Sequence, residues 1–223
     1  GNQFASNGHI RMYSFDGTNW NQMGSEIDGD MSSDNFGDSF STPVSISDTA
    51  GDGLDDDNTL EGATTATGKK GEVYVAWAGH GNIYFDKSMD GGDSFGVDKI
   101  IAKQMGGWAQ DIPEVYRTNS MPFMQTNSKG HIYVVYGDTT HGDHDIFLIN
   151  SKDGGETWSP PLRVNNDAIG NGRDQYMPNM TIDASDDRVY IVYYDRGFSS
   201  SNTFVDVTLA STTDGKKLTH TRI

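Results

Sequence analysis

The run SKDGGETW, Ser151 to Trp158, decides how this chain is read. It directly follows an apolar-rich stretch, DIFLIN at 145–150. A near copy, SMDGGDSF at Ser88 to Phe95, follows NIYFDKS at 82–88. A degenerate third copy holds Ser211, Asp214 and Gly215. A short Asp side chain can accept bonds from the N–H groups of a turn, and Gly supplies a positive φ. In the two full copies an aromatic ring, Phe95 or Trp158, closes the run and suits packing between sheets. The run therefore reads as a joint between two strands, not as a reaction centre.

Outward from these turns, three segments share one plan. They start at Leu60, Ser120 and Tyr176. Tyr74, Tyr133 and Tyr190 hold one position, at intervals of 59 and 57 residues. Asp90, Asp153 and Asp214 hold another, at intervals of 63 and 61. Each segment alternates with period 2 and nowhere sustains a helical period. The order is strand, polar turn, β-branched and aromatic strand such as IYVVY, loop, strand, Asp turn, strand. Four-stranded units repeated in series predict an all-β fold, a β-propeller with one blade per unit.

The whole chain, 1–223, is taken as one propeller domain, with blades over 60–119, 120–175 and 176–223. Residues 1–47 are expected to form a partial or divergent blade, and 48–59 an acidic loop. Three units and a part fall at the low end of the ~4–8 blades of propellers. Two expectations follow: a piece of a larger ring, or self-association that completes one. The start at Gly1 and the stop at a fourth strand agree with a mature or truncated chain.

Composition narrows the function. Lys plus Arg is 16 against 32 for Asp plus Glu, a formal charge of −16. Such a surface repels nucleic acid and anionic membranes. No run reaches the ~18 apolar residues of a membrane span. With no Cys there are no disulfides or thiolate metal sites. Leu, Ile, Val and Phe total 42, low enough to raise disorder, but 10 Tyr, 9 Met and 4 Trp restore apolar mass and the alternation is in phase.

The turn motif resembles the Asp box of the bacterial neuraminidase repeat, the hallmark of sialidase-like propellers. Ser151, Asp153, Gly155, Thr157 and Trp158 match the whole pattern, and Ser88, Asp90, Gly92, Ser94 and Phe95 match with conservative changes. The third copy matches at Ser211, Asp214 and Gly215. The resemblance covers roughly 42–223. It implies a bacterial secreted or cell-surface protein that engages glycans, and an exo-glycosidase of sialidase type acting on terminal acidic sugars. A non-catalytic adhesion, binding or assembly propeller stays open beside it, because the family's Arg-Ile-Pro motif is absent. No organic cofactor is expected.

By the same resemblance, ligand meets the face built from loops between second and third strands and between blades. An arginine set there would hold a substrate carboxylate in bidentate geometry. The candidates are Arg117, Arg173 and Arg196, with Tyr176 as nucleophile and Asp111 and Glu61 as carboxylates. Local pairing of those arginines is the competing reading. Trp108 is the stacking candidate, and His80, Asp174 and Asp195 complete the ligand set. In DTAGDGLDDDNT, Asp48, Asp52, Asp55 and Asp57 offer hard oxygens suited to Ca2+, although no Glu closes an EF-hand loop. A solvated acidic loop is the alternative. HGDHD, His141 to Asp145, is a candidate transition-metal site set against a hydrated polar loop.

Overall fold

The computed structural model describes residues 43–51 and 58–223, together with the backbone of two short N-terminal strands. Those are β1 (Tyr13–Phe15) and β2 (Trp20–Gln22), which pair antiparallel. No helix occurs among the described residues.

Three four-stranded antiparallel sheets follow in series. The first is β3 (Leu60–Thr67), β4 (Val73–Gly79), β5 (Asn82–Ser88) and β6 (Lys99–Lys103). A two-stranded pair, β7 (Ala109–Gln110) and β8 (Thr118–Asn119), lies in the connection to the next sheet. The second is β9 (Phe123–Thr126), β10 (Ile132–Asp138), β11 (Asp145–Ser151) and β12 (Leu162–Arg163). The third is β13 (Gln175–Ile182), β14 (Val189–Asp195), β15 (Asp206–Thr212) and β16 (Thr219–Arg222). In every sheet spatial order equals chain order. The fold is an all-β propeller of four-stranded blades.

Alternation explains how the blades stack. Successive residues of a strand face opposite sides, so a strand buried on both faces is apolar throughout. All seven residues of β10 are buried. Ile132, Val134 and Tyr136 share a cluster with Tyr74, Ala76 and Ala78 of the first blade. Tyr133 and Val135 share another with Val189, Ile191 and Tyr193 of the third. Threonine hydroxyls tie the inner strands to the neighbouring backbone: Met124 N donates to Thr64 Oγ1 at 3.3 Å and Thr126 Oγ1 to Thr67 O at 2.8 Å.

On its other side the first blade packs Val73, Val75 and Trp77 with Ile46, Leu60, Tyr84 and Phe95. Among the described residues, no further sheet packs on the last face of the third blade. Tyr190 stands where Tyr74 and Tyr133 are buried, but is only half-buried, and Tyr194 and Met177 are 44% and 40% exposed.

The Asp turns join third to fourth strands. In the second blade Ser151 Oγ bonds Asp153 Oδ1 (2.8 Å) and accepts from Gly155 N (2.8 Å), while Thr157 N and Oγ1 donate to the Asp153 carboxylate. Ser88, Asp90, Gly92 and Ser94 repeat this network in the first blade. In the third the serine role falls to Thr212, not Ser211: Thr212 Oγ1 bonds Asp214 Oδ1 (3.0 Å) and accepts from Gly215 N (3.0 Å). This turn is one residue tighter, and Lys216 N and Lys217 N donate to Asp214 in place of a hydroxyl residue. The second and third turns also lean on the preceding blade: Trp158 meets Phe85 edge-on at 5.2 Å, and Gly215 approaches Asn150 and Tyr133.

Candidate functional site

Antiparallel order places the second-to-third strand loops and the inter-blade connections at one end of the blades. The β4–β5 turn is the tightest, with only His80 (φ 49) and Gly81 (φ 68) between the paired residues Gly79 and Asn82. Two successive positive φ values are the type I′ hairpin solution, whose twist matches the strands. His80 is therefore exposed at a turn tip, and Asn82 Nδ2 caps its carbonyl at 2.8 Å.

Between the second and third blades this end holds a polar network. Arg163, from β12, directs Nε and Nη2 to Asp145 Oδ1 (2.8 and 2.7 Å) and Nη2 to Asp167 Oδ1 (2.8 Å). Asn165 Nδ2 reaches Asp145 and Asp167 at 2.7 and 2.8 Å and also contacts Gln175 Oε1. Gln175 Nε2 donates to Asp195 Oδ1 at 3.1 Å, and Thr208 Oγ1 to Asp195 Oδ2 at 2.7 Å. Asp145 is fully buried and Asp195 is 3% exposed. Buried carboxylates persist only when paired or hydrogen-bonded, and here every oxygen has a donor. Chemically this is a brace, with its charges already satisfied.

Beside it the two histidines of HGDHD part company. His141 Nδ1 pairs with Asp145 Oδ2 at 2.8 Å, and His144 Nδ1 with Asp174 Oδ1 at 3.0 Å. They serve different carboxylates, and no cluster able to hold a metal occurs among the described residues. Both Nδ1 atoms are thereby engaged in hydrogen bonds within the polar loop. Burial opposes ionisation of Asp174, yet hydrogen bonds from His144 and Asn202 outweigh it and hold its pKa below the ordinary carboxylate value.

Arg196 is the most buried lysine or arginine at this end among the described residues. It is 3% exposed and makes no ion pair among the described residues. Its Nη1 donates to Pro113 O (3.0 Å) and to Asn202 O, while Nε is buried without a partner. The guanidinium carbon lies 5.7 Å from the Tyr176 ring centroid, and Tyr176 stacks on Tyr194 at 5.4 Å. Arg173 is adjacent, donating from Nη1 to Gly197 O at 3.4 Å. So the β14–β15 loop brings Arg196, Arg173, Tyr176 and Asp174 together.

Other candidates are placed elsewhere. Arg117 and Asp111 are exposed on the connection before β8. Glu61 is half-buried in β3, paired with Ala78 just before a bulge. Trp108 is corrected from stacking platform to core residue: it is 3% exposed inside the cluster shared by the first two blades. Asp48 exchanges two 2.9 Å bonds with Asp98, each backbone N–H donating to the other's carboxylate. Asp52, Asp55 and Asp57 lie outside the described residues. Sequence reading missed Arg163, Asn165 and Gln175; their signal was weak, polar residues at or beside short strand ends.

Fold and face together define the class, a β-propeller with a polar loop end. Solved structures agree with the fold. The chain is similar to an α-L-arabinofuranosidase of Fusarium graminearum, solved with an iminosugar inhibitor, at 16% identity over 74% of this chain and 48% of that one, TM-score 0.51. It is similar to an α-L-arabinanase of Penicillium chrysogenum complexed with arabinobiose, at 14% identity over 73% and 49%, TM-score 0.50. A Dyadobacter fermentans protein of unknown function matches at 15% identity over 74% and 51%, TM-score 0.50. The chain thus spans about half the length of these proteins. No protein-family model matches the sequence, and no curated protein does.

Proposed function

We propose that this chain is a glycan-engaging propeller whose ligand face is the loop end around Arg196, and that it selects glycans bearing an acidic sugar. One observation carries the reading: Arg196 is a buried guanidinium that, among the described residues, has no carboxylate partner and an unused Nε–H. A buried cation without a counterion favours an incoming anion, and a guanidinium suits a planar carboxylate. Its neighbours Arg163, Asp145 and Asp195 are already satisfied, so Arg196 is where a ligand adds a partner. Two of the similar structures, an arabinofuranosidase and an arabinanase, are named for action on sugars, which supports a glycan as ligand.

Binding is favoured over an exo-glycosidase of sialidase type by Tyr176. The candidate nucleophile is 5% exposed, its ring held between Arg196 and Tyr194. The hydrolase reading keeps Asp111 and Glu61 as its carboxylates, since glycoside hydrolysis generally uses two. Titrating folded protein with uronic acid, sialic acid and neutral oligosaccharides tests the proposal, alongside a fluorogenic glycoside panel. Saturable binding of an acidic sugar, abolished in Arg196→Met but kept in Arg188→Met, is expected. Equal affinity for neutral sugars, or for the Arg196→Met protein, rejects it. Sugar release would shift the reading to the hydrolase.

A further inference from the structure

The opposite end of the blades carries an unexplained concentration of positive charge. Five of the chain's nine lysines, Lys69, Lys70, Lys87, Lys129 and Lys152, line one cleft of about 290 Å3. They come from two blades: Lys69 and Lys70 from the β3–β4 turn, Lys87 from β5, Lys129 from the β9–β10 turn and Lys152 from the β11–β12 turn. The seam is close, since a Cβ on Gly130 would lie 3.7 Å from the Lys69 stem.

In a chain of net charge −16, lysines are expected to find carboxylates. Here most do not. Of the two carboxylates lining the cleft, Asp153 is bonded to Ser151 and Thr157, and Glu72 accepts from Lys70 N at 2.7 Å. Lys87 pairs with Glu156 and Lys129 with Asp187 at 3.2 Å. Lys69, Lys70 and Lys152 have no ion pair among the described residues. Three ammonium groups from two blades thus share one concavity with no direct ion pair among the described residues, although the Glu72 carboxylate at its edge lies in the field of Lys70 and Lys87. Nearby His131 registers their field: burial, then Lys152 and Lys129, push its imidazole below the ordinary range.

We propose that this cleft is an anion site that takes a sulfate or phosphate ester group of a small ligand. Lysine ammoniums are compact point charges, whereas planar carboxylates are best matched by the guanidinium fork. Ammoniums converging from several directions fit a tetrahedral oxyanion with acceptors on every side. The volume, near the lower limit of the ~300–1,000 Å3 of small-molecule clefts, admits a sugar-sized group bearing one such ester. An extended polyphosphate backbone is disfavoured by the chain's net charge of −16. The site is remote from Arg196 and does not depend on the role given to that residue.

The test is a titration at constant ionic strength with inorganic sulfate, inorganic phosphate, glucose 6-sulfate, glucose 6-phosphate, acetate and glucose. Amide chemical shifts of Gly130 and Gly154 report occupancy. Saturable binding of the two esters is expected, with acetate and glucose silent, and the tighter ester identifies the source. Lys69→Gln/Lys152→Gln should weaken it at least ~10-fold, and Lys103→Gln, at the other end, should not. Lack of saturation, an equal response to acetate, or unchanged affinity in the double variant overturns the proposal. Unchanged thermal unfolding of the double variant separates lost binding from lost folding.

Discussion

Gly155 of the second blade lies against the Phe85 ring of the first, so closely that a Cβ at 155 would stand 2.3 Å from Phe85 Cε1. Its φ of 83° adds backbone strain for any other residue. Gly91, with φ 81°, occupies a turn with open space around it. Gly91→Ala should therefore cost about 1–2 kcal/mol, the left-handed penalty alone. Gly155→Ala should add about 1–3 kcal/mol of overpacking. Urea unfolding of both variants checks this, and equal costs would mean that the ring contact is unimportant.

Removing Arg163 should be far more damaging than removing an exposed cation. It would leave fully buried Asp145 with His141 and Asn165 as its remaining partners. Breaking a buried pair on one side typically costs about 3–5 kcal/mol. Arg163→Met should lower the melting temperature markedly, whereas Arg188→Met, whose partner Asp186 is exposed, should change it little.

Acid should loosen the Asp turns. Bonds from Thr157, first from its hydroxyl, hold Asp153 down at about 2. Backbone N–H groups of Lys217 and Lys216 hold Asp214 at about 2. A depressed carboxylate contributes stability that is full above its unfolded pKa, ~4, and fades as pH falls through the folded value. The loss should therefore develop between about pH 4 and pH 2. Asp86 and Asp98, raised chiefly by burial, act in the opposite sense. Comparing wild type with Asp153→Asn across this range isolates the turn: the variant should be less stable at pH 6, with the gap narrowing by pH 2.

The open face of the third blade should drive association of two copies. Tyr190, Val192 and Tyr194 occupy the side of β14 that corresponds to the buried side of β4 and β10. Concentration-dependent sedimentation is expected, and Tyr194→Lys should abolish it. A wild-type chain that stays monomeric at high concentration would rule this out.

What could be read from residues alone was local. Period-2 alternation and the Asp-Gly turns depend on neighbours within one strand or turn, so the four-strand unit and its repeat were legible. Even there, the third turn slipped by one residue: Thr212 offers the same hydroxyl as a serine, and only the bond geometry separates it from Ser211. Trp108 misled because its glycine neighbours signal a loop, while its side chain turns back into the core. Tertiary structure decided the rest. Asp145 meets Arg163 and Asn165 from another strand and connection, and Gln175 reaches Asp195 across paired strands. Arg196 is distinctive not by its type or context but by its burial without an ion pair among the described residues. Lysines scattered from 69 to 152 line one cleft only when two blades stack. Charge compensation and burial are properties of through-space neighbours, and those are set by how the sheets pack.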